Sequence, residues 1–302
     1  MRSNKIFMAI ATGKRQEENS FKLYEGITNI KVVAVNPKKA ELEKLTGREL
    51  ETEPVYTSKV DRDGTSVDSV RLTFYVQQET EDTSISQLTF FLENAHRYNT
   101  DKTKVQVIDK YGRTAWVTIE ECNNHIIPMY SNGPAKLDAG YRPLYRGEEQ
   151  LIGFLRTLIN IPRIDQYNRT NGTWKTHNCP ADCEISLDNI KNYFSGDITE
   201  IKDAIKFQPD NAVGAMFYVR TTNEGKQYQA IFNEAFVSPF RKIEDKAAVL
   251  KKAIEDRQAA GAYQGQVFYY GGIKEYNTTP TDFTKQQPTE VTFNPDTEEL
   301  PF

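Results

Sequence analysis

Alternation of apolar and polar residues is the feature that most limits what this chain can fold into. Residues 67–77, VDSVRLTFYVQ, alternate well enough to predict a long strand with one buried face. Shorter segments of the same kind lie at residues 30–35, 88–92, 105–108 and 114–120. The last two flank a turn at residues 110–112 and are predicted to pair as a hairpin. The first half of the chain is therefore expected to be rich in strands.

Helical spacing takes over in the middle of the chain. Residues 148–160 place leucines and isoleucines on one helix face, and Pro162 follows the end of that pattern. Further helices are predicted at residues 187–194, 198–205 and 243–259, and further strands at residues 213–220 and 228–236. We predict an α+β, mainly β core domain over residues 1–264, with a helical insertion at about 144–206. This pattern fits an OB-fold-like Greek-key barrel, and it fits any other α+β domain equally well.

The charge of the chain is distributed unevenly. The formal net charge is −4, from 38 Lys and Arg against 42 Asp and Glu. Four of those acids and none of the bases lie in residues 290–302, so residues 1–289 hold equal numbers of both signs. Residues 265–289 are rich in Gly, Gln, Pro and Thr, which predicts a flexible linker. We therefore expect a neutral body joined to a disordered acidic C-terminal tail, with the acidic tip at residues 290–302.

Several protein classes are excluded by what the sequence lacks. No apolar run approaches the roughly 20 residues of a membrane-spanning helix, and the apolar run near the N-terminus is too short for a secretion signal. Three cysteines, an odd number, favour a reducing compartment. There is no phosphate-binding loop, G-x-S-x-G elbow or H-E-x-x-H motif. We expect a cytoplasmic protein that binds no membrane and is not an enzyme. A metal-dependent nuclease is not favoured either, because the sequence contains no cluster of carboxylates that could form its metal site.

Cysteines and histidines occur in two clusters. Cys122 and His125 are separated by two residues, and the second cluster contains His177, Cys179 and Cys183. Thiolate and imidazole ligands in paired clusters suit tetrahedral zinc. A structural Zn²⁺ is therefore predicted on Cys122, His125, Cys179 and Cys183, or with His177 replacing one of them. The alternative is that the cysteines are small buried apolar residues and the histidines lie at the surface.

Aromatic residues stand beside cations in several of the predicted strands and loops. Rings that stack on bases, together with cations that follow phosphates, are how proteins bind single-stranded nucleic acid. The alternative is that most of these rings belong to the core. The predicted nucleic-acid-binding residues are Arg71, Tyr75, Arg97, Tyr98, Lys110, Tyr111, Arg113, Trp116, Tyr141, Arg142, Tyr145 and Arg146.

The C-terminal residues form the most specific motif. Several acids there are followed by the apolar residues Leu-Pro-Phe. In a segment of this kind, the terminal carboxylate and the apolar side chain can bind in a pocket with a basic residue, while the preceding acids contact surrounding cations. The predicted protein-interaction tip consists of Asp296, Glu298, Glu299, Leu300, Pro301 and Phe302. The alternative is a frayed, solvated end.

This tip resembles that of bacterial single-stranded-DNA-binding proteins, whose last residues are acids followed by Ile-Pro-Phe; Leu300 stands in place of the Ile. Single-stranded-DNA-binding proteins of tailed phages are similar in combining an OB-fold core, inserted segments and an acidic tail, and some carry a structural zinc. The longer body favours a phage-type relative, which would work in the host cytoplasm. The resemblance implies that the tail recruits replication, recombination and repair proteins and competes with DNA for a basic groove.

These observations predict sequence-independent binding and protection of single-stranded DNA during replication and recombination. Stacking does not distinguish the sugar, so the choice between DNA and RNA stays open. The alternative prediction is a phage virion structural or packaged protein that makes protein contacts only.

Overall fold

The computed structural model describes residues 21–79, 85–108, 114–124, 126–127, 136–137, 142–158, 167–168, 173–174, 189–206, 213–222 and 224–278. The strands are β1 (Phe21–Val35), β2 (Thr57–Arg62), β3 (Thr65–Gln78), β4 (Ile85–His96), β5 (Lys104–Ile108), β6 (Thr114–Thr118), β7 (Ile126–Ile127), β8 (Lys136–Leu137), β9 (Arg142–Pro143), β10 (Tyr145–Arg146), β11 (Tyr167–Asn168), β12 (Thr173–Trp174), β13 (Val213–Thr221), β14 (Gln227–Ile231) and β15 (Lys274–Thr278). The helices are α1 (Lys39–Thr46), α2 (Ile119–Asn123), α3 (Glu148–Leu158), α4 (Ile190–Tyr193), α5 (Thr199–Lys206) and α6 (Ile243–Ala259). The described structure is mainly β, as predicted, and its largest sheet is strongly curled.

The chain divides into two compact units. The small unit consists of Met1–Thr28, Met216–Phe232 and Lys242–Phe302, and the large unit of Asn29–Ala215 and Asn233–Arg241. None of the described helices combines the length and the apolar character that crossing a membrane requires.

In the large unit, β3 and β4 pair antiparallel over a long register from Ser69↔Glu93 to Gln77↔Ile85. Leu72 and Phe74 of β3 lie on one face with Phe90 of β4, all three buried. The single buried face predicted for residues 67–77 is wrong over residues 72–76, where both faces of β3 are buried. Helix α3 covers this face through Phe154, whose ring centroid lies 4.8 Å from that of Phe74 and 5.3 Å from that of Phe90. This packing forms a core. On the opposite face of β3, Ser69, Thr73 and Tyr75 are also buried, whereas Arg71 is exposed there.

Three neighbouring elements complete the large-unit sheet around β3 and β4. The end of β1 and strand β2 both pair with β3, and β10 pairs with the far edge of β4. The turn from β10 into α3 requires Gly147, because a Cβ there would lie 1.8 Å from the carbonyl oxygen of Phe91. A separate sheet has the strand order β6-β5-β9 and includes the predicted β5–β6 hairpin.

Several predicted segments differ from the structure. The strand predicted at residues 114–120 ends at Thr118, because Thr118 and Glu121 form a capping box that starts helix α2. Within the predicted linker at residues 265–289, β15 pairs antiparallel with β1. Phe268 is buried there, with its ring centroid 5.0 Å from that of Tyr218. Over residues 265–278, backbone pairing and one buried ring therefore order a part of the chain whose composition alone predicts flexibility.

The predicted helices are present. Helices α3, α4 and α5 fall within the predicted insertion at about 144–206, and α6 has the predicted bounds. Strands β13 and β14 pair antiparallel as a hairpin, and β14 ends at Ile231, short of the end at residue 236 that the sequence predicts.

Candidate nucleic-acid interface

The outward face of β4 exposes a large aromatic ring. Phe91 is 61% exposed, whereas its neighbours Phe90 and Leu92 point into the core. Directly opposite Phe91 on β3 stands the exposed Arg71. Side chains opposite each other on an antiparallel pair lie about 5 Å apart at Cβ, so Phe91 and Arg71 occupy adjacent positions on this face.

Arg71 is held in place by the segment before β2. Its backbone N–H donates to the carbonyl of Tyr56 at 2.7 Å, and its Nη2 donates to the carbonyl of Val55 at 3.1 Å. The guanidinium carbon lies 5.7 Å from the centre of the Tyr56 ring. The Tyr56 hydroxyl in turn donates to the carbonyl of Pro37 at 2.9 Å, and burial raises the pKa of Tyr56 above its ordinary value. The Arg71 guanidinium is therefore oriented by Val55 and Tyr56.

Two further arginines meet at Glu93, two positions along β4 on the same face. Arg62 of β2 donates to both carboxylate oxygens of Glu93, its Nε at 2.5 Å from Oε2. Arg146 of β10 stands opposite Glu93, with its Nε 3.5 Å from the same Oε2. Burial lowers the pKa of Arg146, helped by the positive charges of Arg62 and Arg97 and opposed by Glu93. One buried carboxylate thus positions two partly exposed guanidiniums.

Arg97, just beyond the end of β4, lies over an exposed indole. Its guanidinium carbon is 5.6 Å from the Trp116 ring, which is 41% exposed. Nη1 of Arg97 donates to Oε2 of Glu149 at 2.6 Å, which fixes the side chain. Tyr98, equally exposed, forms a backbone bridge with Val105 of β5. Position 97 therefore adds a second pairing of arginine with an exposed ring.

We call this set of side chains, which lie on and beside β4, the β4 stripe. Positions 91 and 97 of one extended segment are about 20 Å apart. Four arginines and two acids give the stripe a positive balance within a body of equal positive and negative charge. The β4 stripe comprises Arg62, Arg71, Phe91, Glu93, Arg97, Tyr98, Trp116, Arg146 and Glu149.

Tyr75 and Tyr145, both predicted to stack on bases, lie in the core. Tyr75 is 5% exposed and packs with Ala34 and Leu42 beneath helix α1. Tyr145 is equally buried, with its ring centroid 5.1 Å from that of Phe194. Neither ring has a free face for a base, because helix α1 covers Tyr75 locally and Phe194 packs against Tyr145.

Arg142 is committed to an internal ion pair. Its Nη1 donates to Oε2 of Glu148 at 2.9 Å, and its Nη2 donates to Oε1. Glu148, at the start of α3, is fully buried and also accepts the backbone N–H of Tyr145 at 2.8 Å. The structure therefore assigns Arg142 to the junction of β10 and α3 rather than to a binding surface.

His96 borders this junction. Its ring centroid is 5.3 Å from that of Tyr145, and its Nδ1 is buried with no hydrogen-bond partner among the described residues. Burial lowers the pKa of His96, and the positive charges of Arg142 and Lys191 lower it further. The imidazole is therefore held in its neutral form.

One predicted zinc ligand is described. Cys122 is buried against Val105, Val107 and Val117, and burial raises the pKa of its thiol. Among the residues that the structure describes, no three His, Cys, Asp or Glu side chains cluster as metal ligands. The other four predicted ligands, His125, His177, Cys179 and Cys183, lie outside the described residues, so the zinc site stays a prediction.

Other predicted residues also lie outside the described part of the chain. These are Lys110, Tyr111, Arg113 and Tyr141 of the binding set, and Asp296, Glu298, Glu299, Leu300, Pro301 and Phe302 of the tip.

Sequence reasoning missed Phe91 and Arg62. The signal for Phe91 was available, because Leu88, Phe90 and Leu92 share one strand face and Phe91 must stand on the other. Arg62 had no comparable signal, since its contact with Glu93 joins residues far apart in the sequence.

Comparison of the chain with protein families, with curated proteins and with solved structures finds no match.

Proposed function

We propose that this protein binds single-stranded DNA without sequence choice, through the β4 stripe. The observation that carries the proposal is the exposed Phe91 directly opposite the exposed Arg71, together with the exposed Trp116 indole beneath the Arg97 guanidinium. A ring accepts any base on its face, and an adjacent cation meets the phosphate that follows.

The charge distribution supports an anionic ligand. A neutral body gives little long-range attraction, so affinity must come from cations gathered on one surface. Four of the 38 basic residues stand on the β4 stripe, against Glu93 and Glu149. Glu93 binds Arg62 and Arg146, and Glu149 binds Arg97, which limits the side-chain freedom that DNA binding must remove.

An OB-fold-like Greek-key barrel is part of this proposal. A mainly β chain with a curled sheet is compatible with it, and OB-folds bind single strands across a sheet face. In the same proposal, the acidic tip at residues 290–302 recruits replication and recombination proteins and competes with DNA for the stripe. This role rests on its resemblance to the tips of single-stranded-DNA-binding proteins. Competition of that kind weakens as salt rises.

Fluorescence titration with oligo(dT) tests the proposal. The Trp116 indole provides a signal at the stripe, and the full chain is compared with a chain lacking residues 290–302. We expect salt-sensitive binding that becomes tighter when the acidic tip is removed. If neither protein binds oligo(dT) at micromolar concentration in low salt, the proposal is wrong. Ordered oligomers indifferent to DNA, seen by size-exclusion chromatography, would instead favour a virion structural or packaged protein.

A further inference from the structure

The hairpin of β13 and β14, in the small unit, repeats the pairing found at Phe91. Arg220 of β13 stands directly opposite Tyr228 of β14. Both side chains are exposed, the tyrosine by 37%. An arginine opposite an exposed aromatic ring on an antiparallel pair therefore occurs in each of the two units.

Arg220 and Tyr228 stand on one face of the hairpin of β13 and β14. Aromatic side chains cover this face near the core, and the face is exposed near the hairpin turn. Tyr218, two positions before Arg220, points the same way and is buried, with ring centroids 5.0 Å from Phe268 and 6.0 Å from Tyr263. The opposite face is anchored by Gln229, whose Oε1 accepts the backbone N–H of Tyr24 at 2.8 Å. The hairpin is thus fixed at its base while Arg220 and Tyr228 project beyond the cover.

The hairpin tip is closed and positively charged. The backbone N–H of Thr222 donates to the carbonyl of Lys226 at 2.8 Å, and that of Gly225 donates to the carbonyl of Thr222 at 2.9 Å. Lys226 pairs with Glu224 at 3.0 Å, which leaves Arg220 as the net charge of the tip. Among the described residues no acid forms an ion pair with Arg220, in contrast to Arg97 and Arg146 of the β4 stripe.

We propose that this hairpin tip is a second nucleic-acid contact, in which a base stacks on Tyr228 and the neighbouring phosphate binds Arg220. The ligand class is a single-stranded phosphodiester, and the inference rests on the proposed function. The small unit then contributes directly to binding rather than only supporting the fold. A rigid ring costs little conformational freedom on binding, and its exposed position leaves the core unaffected when it is changed.

Two substitutions test this contact. Tyr228→Ala is expected to weaken binding of oligo(dT) by about fivefold or more, the lower end for loss of one stacking ring. Tyr228→Phe restores the ring and should recover most of the lost affinity. Arg220→Ala is expected to reduce the slope of log affinity against log salt by about 0.7, the value for one phosphate contact on a single strand. Lys252→Ala, an exposed cation on α6 of the same unit, is the matched control and should change neither quantity.

A direct readout accompanies the titrations. Oligo(dT) carrying 5-iodouracil is photocrosslinked to the full chain, and mass spectrometry should locate the adduct on the peptide that contains Tyr228. Circular dichroism and thermal melting confirm that each variant folds as the unchanged protein does.

The outcomes separate the two proposals. In one outcome, the unchanged protein binds DNA and Phe91→Ala weakens that binding, but the Tyr228 and Arg220 variants behave like the control and no crosslink forms at Tyr228. The hairpin contact is then wrong, and the β4 stripe is supported. Weakening by the hairpin variants alone supports the hairpin and contradicts the stripe. A protein that binds no oligonucleotide at all overturns both.

Discussion

Adjacent phenylalanines on β4 provide a sharp test of the proposed interface. Phe90 packs in the core, with ring centroids 5.8 Å from Phe74 and 5.3 Å from Phe154, whereas Phe91 projects from the opposite face. We consider Phe91→Ala as the perturbation and Phe90→Ala as its control. The two variants remove the same side chain from neighbouring positions of one strand.

The expected magnitudes follow from burial. A phenylalanine side chain has about 200 Å² of surface, and with 61% of Phe91 exposed only about 80 Å² is removed from water. At about 25 cal/mol per Å², Phe91→Ala lowers the free energy of unfolding by at most about 2 kcal/mol. Phe90 is 3% exposed, and Phe90→Ala is expected to cost about 3–5 kcal/mol because it leaves a cavity.

Binding should show the opposite order. Loss of a stacking ring at Phe91 costs about 1–3 kcal/mol per base, or about 5- to 150-fold in Kd. Phe90→Ala should leave the Kd for oligo(dT) nearly unchanged at temperatures where the variant is folded. Urea denaturation measures the first quantity and fluorescence titration the second.

Two results would refute this reasoning. Equal destabilisation by both variants would show that Phe91 is buried and that the two faces of β4 are assigned wrongly. A Phe91→Ala protein that is folded and binds oligo(dT) as tightly as the unchanged chain would remove Phe91 from the binding surface.

Three further predictions concern the ionisable groups of the large unit. Arg142→Ala should lower the free energy of unfolding, measured by urea denaturation, by about 3–5 kcal/mol, because it leaves Glu148 buried without its counter-ion. The control Lys59→Ala, which breaks an exposed ion pair with Asp68, should lower it by less than about 1 kcal/mol. Equal effects of the two substitutions would contradict the buried pair. Burial lowers the pKa of His96, so below about pH 6.5 the unfolded chain binds a proton at this side chain more readily than the folded protein does. The free energy of unfolding should therefore fall as the pH falls below about 6.5, and it should fall less steeply in His96→Gln. Identical pH profiles of the two proteins would contradict the lowered pKa of His96. Burial raises the pKa of the Cys122 thiol, so little thiolate forms at neutral pH, and iodoacetamide should modify Cys122 slowly until urea is added. Mass spectrometry of the peptide that contains Cys122 measures the rate of modification. Rapid modification in the folded protein would contradict the burial of this side chain.

Metal content tests the predicted zinc site independently of DNA. Protein purified without a chelator should contain one zinc per chain if Cys122 and three of its four predicted companions bind the ion, and Cys122→Ser should then lose zinc. If the unchanged protein contains no stoichiometric zinc, Cys122 is a core residue only.

Local patterns allowed most of the regular elements to be predicted. Alternation over residues 67–77 lies within β3, helical spacing over residues 243–259 matches α6, and Asn36 followed by Pro37 marks the end of β1. Each depends on residues a few positions apart, which is the range over which strand and helix periodicities operate. The capping box at Thr118 and the pairing of β15 lay beyond what composition and alternation revealed.

The candidate interface was predicted only in part, because neighbours along the chain do not show which residues cover a side chain. Arg71, Arg97, Tyr98, Trp116 and Arg146 were identified from the sequence and stand on the β4 stripe. Tyr75 belongs to the same class of residue but lies under helix α1, and Tyr145 lies against Phe194. A ring beside a cation has the same sequence signature in both settings.

The sequence by itself determined the mainly β character, the positions of the main helices, and the separation of a neutral body from an acidic tail. These properties are local or additive, so they can be read from the order of residues. The tertiary structure alone decided that Phe91 is exposed while Phe90 is buried under α3, and that Glu93 joins Arg62 to Arg146. Exposure and ion pairing depend on which distant segments pack together, and that choice is made by the free energy of the whole fold.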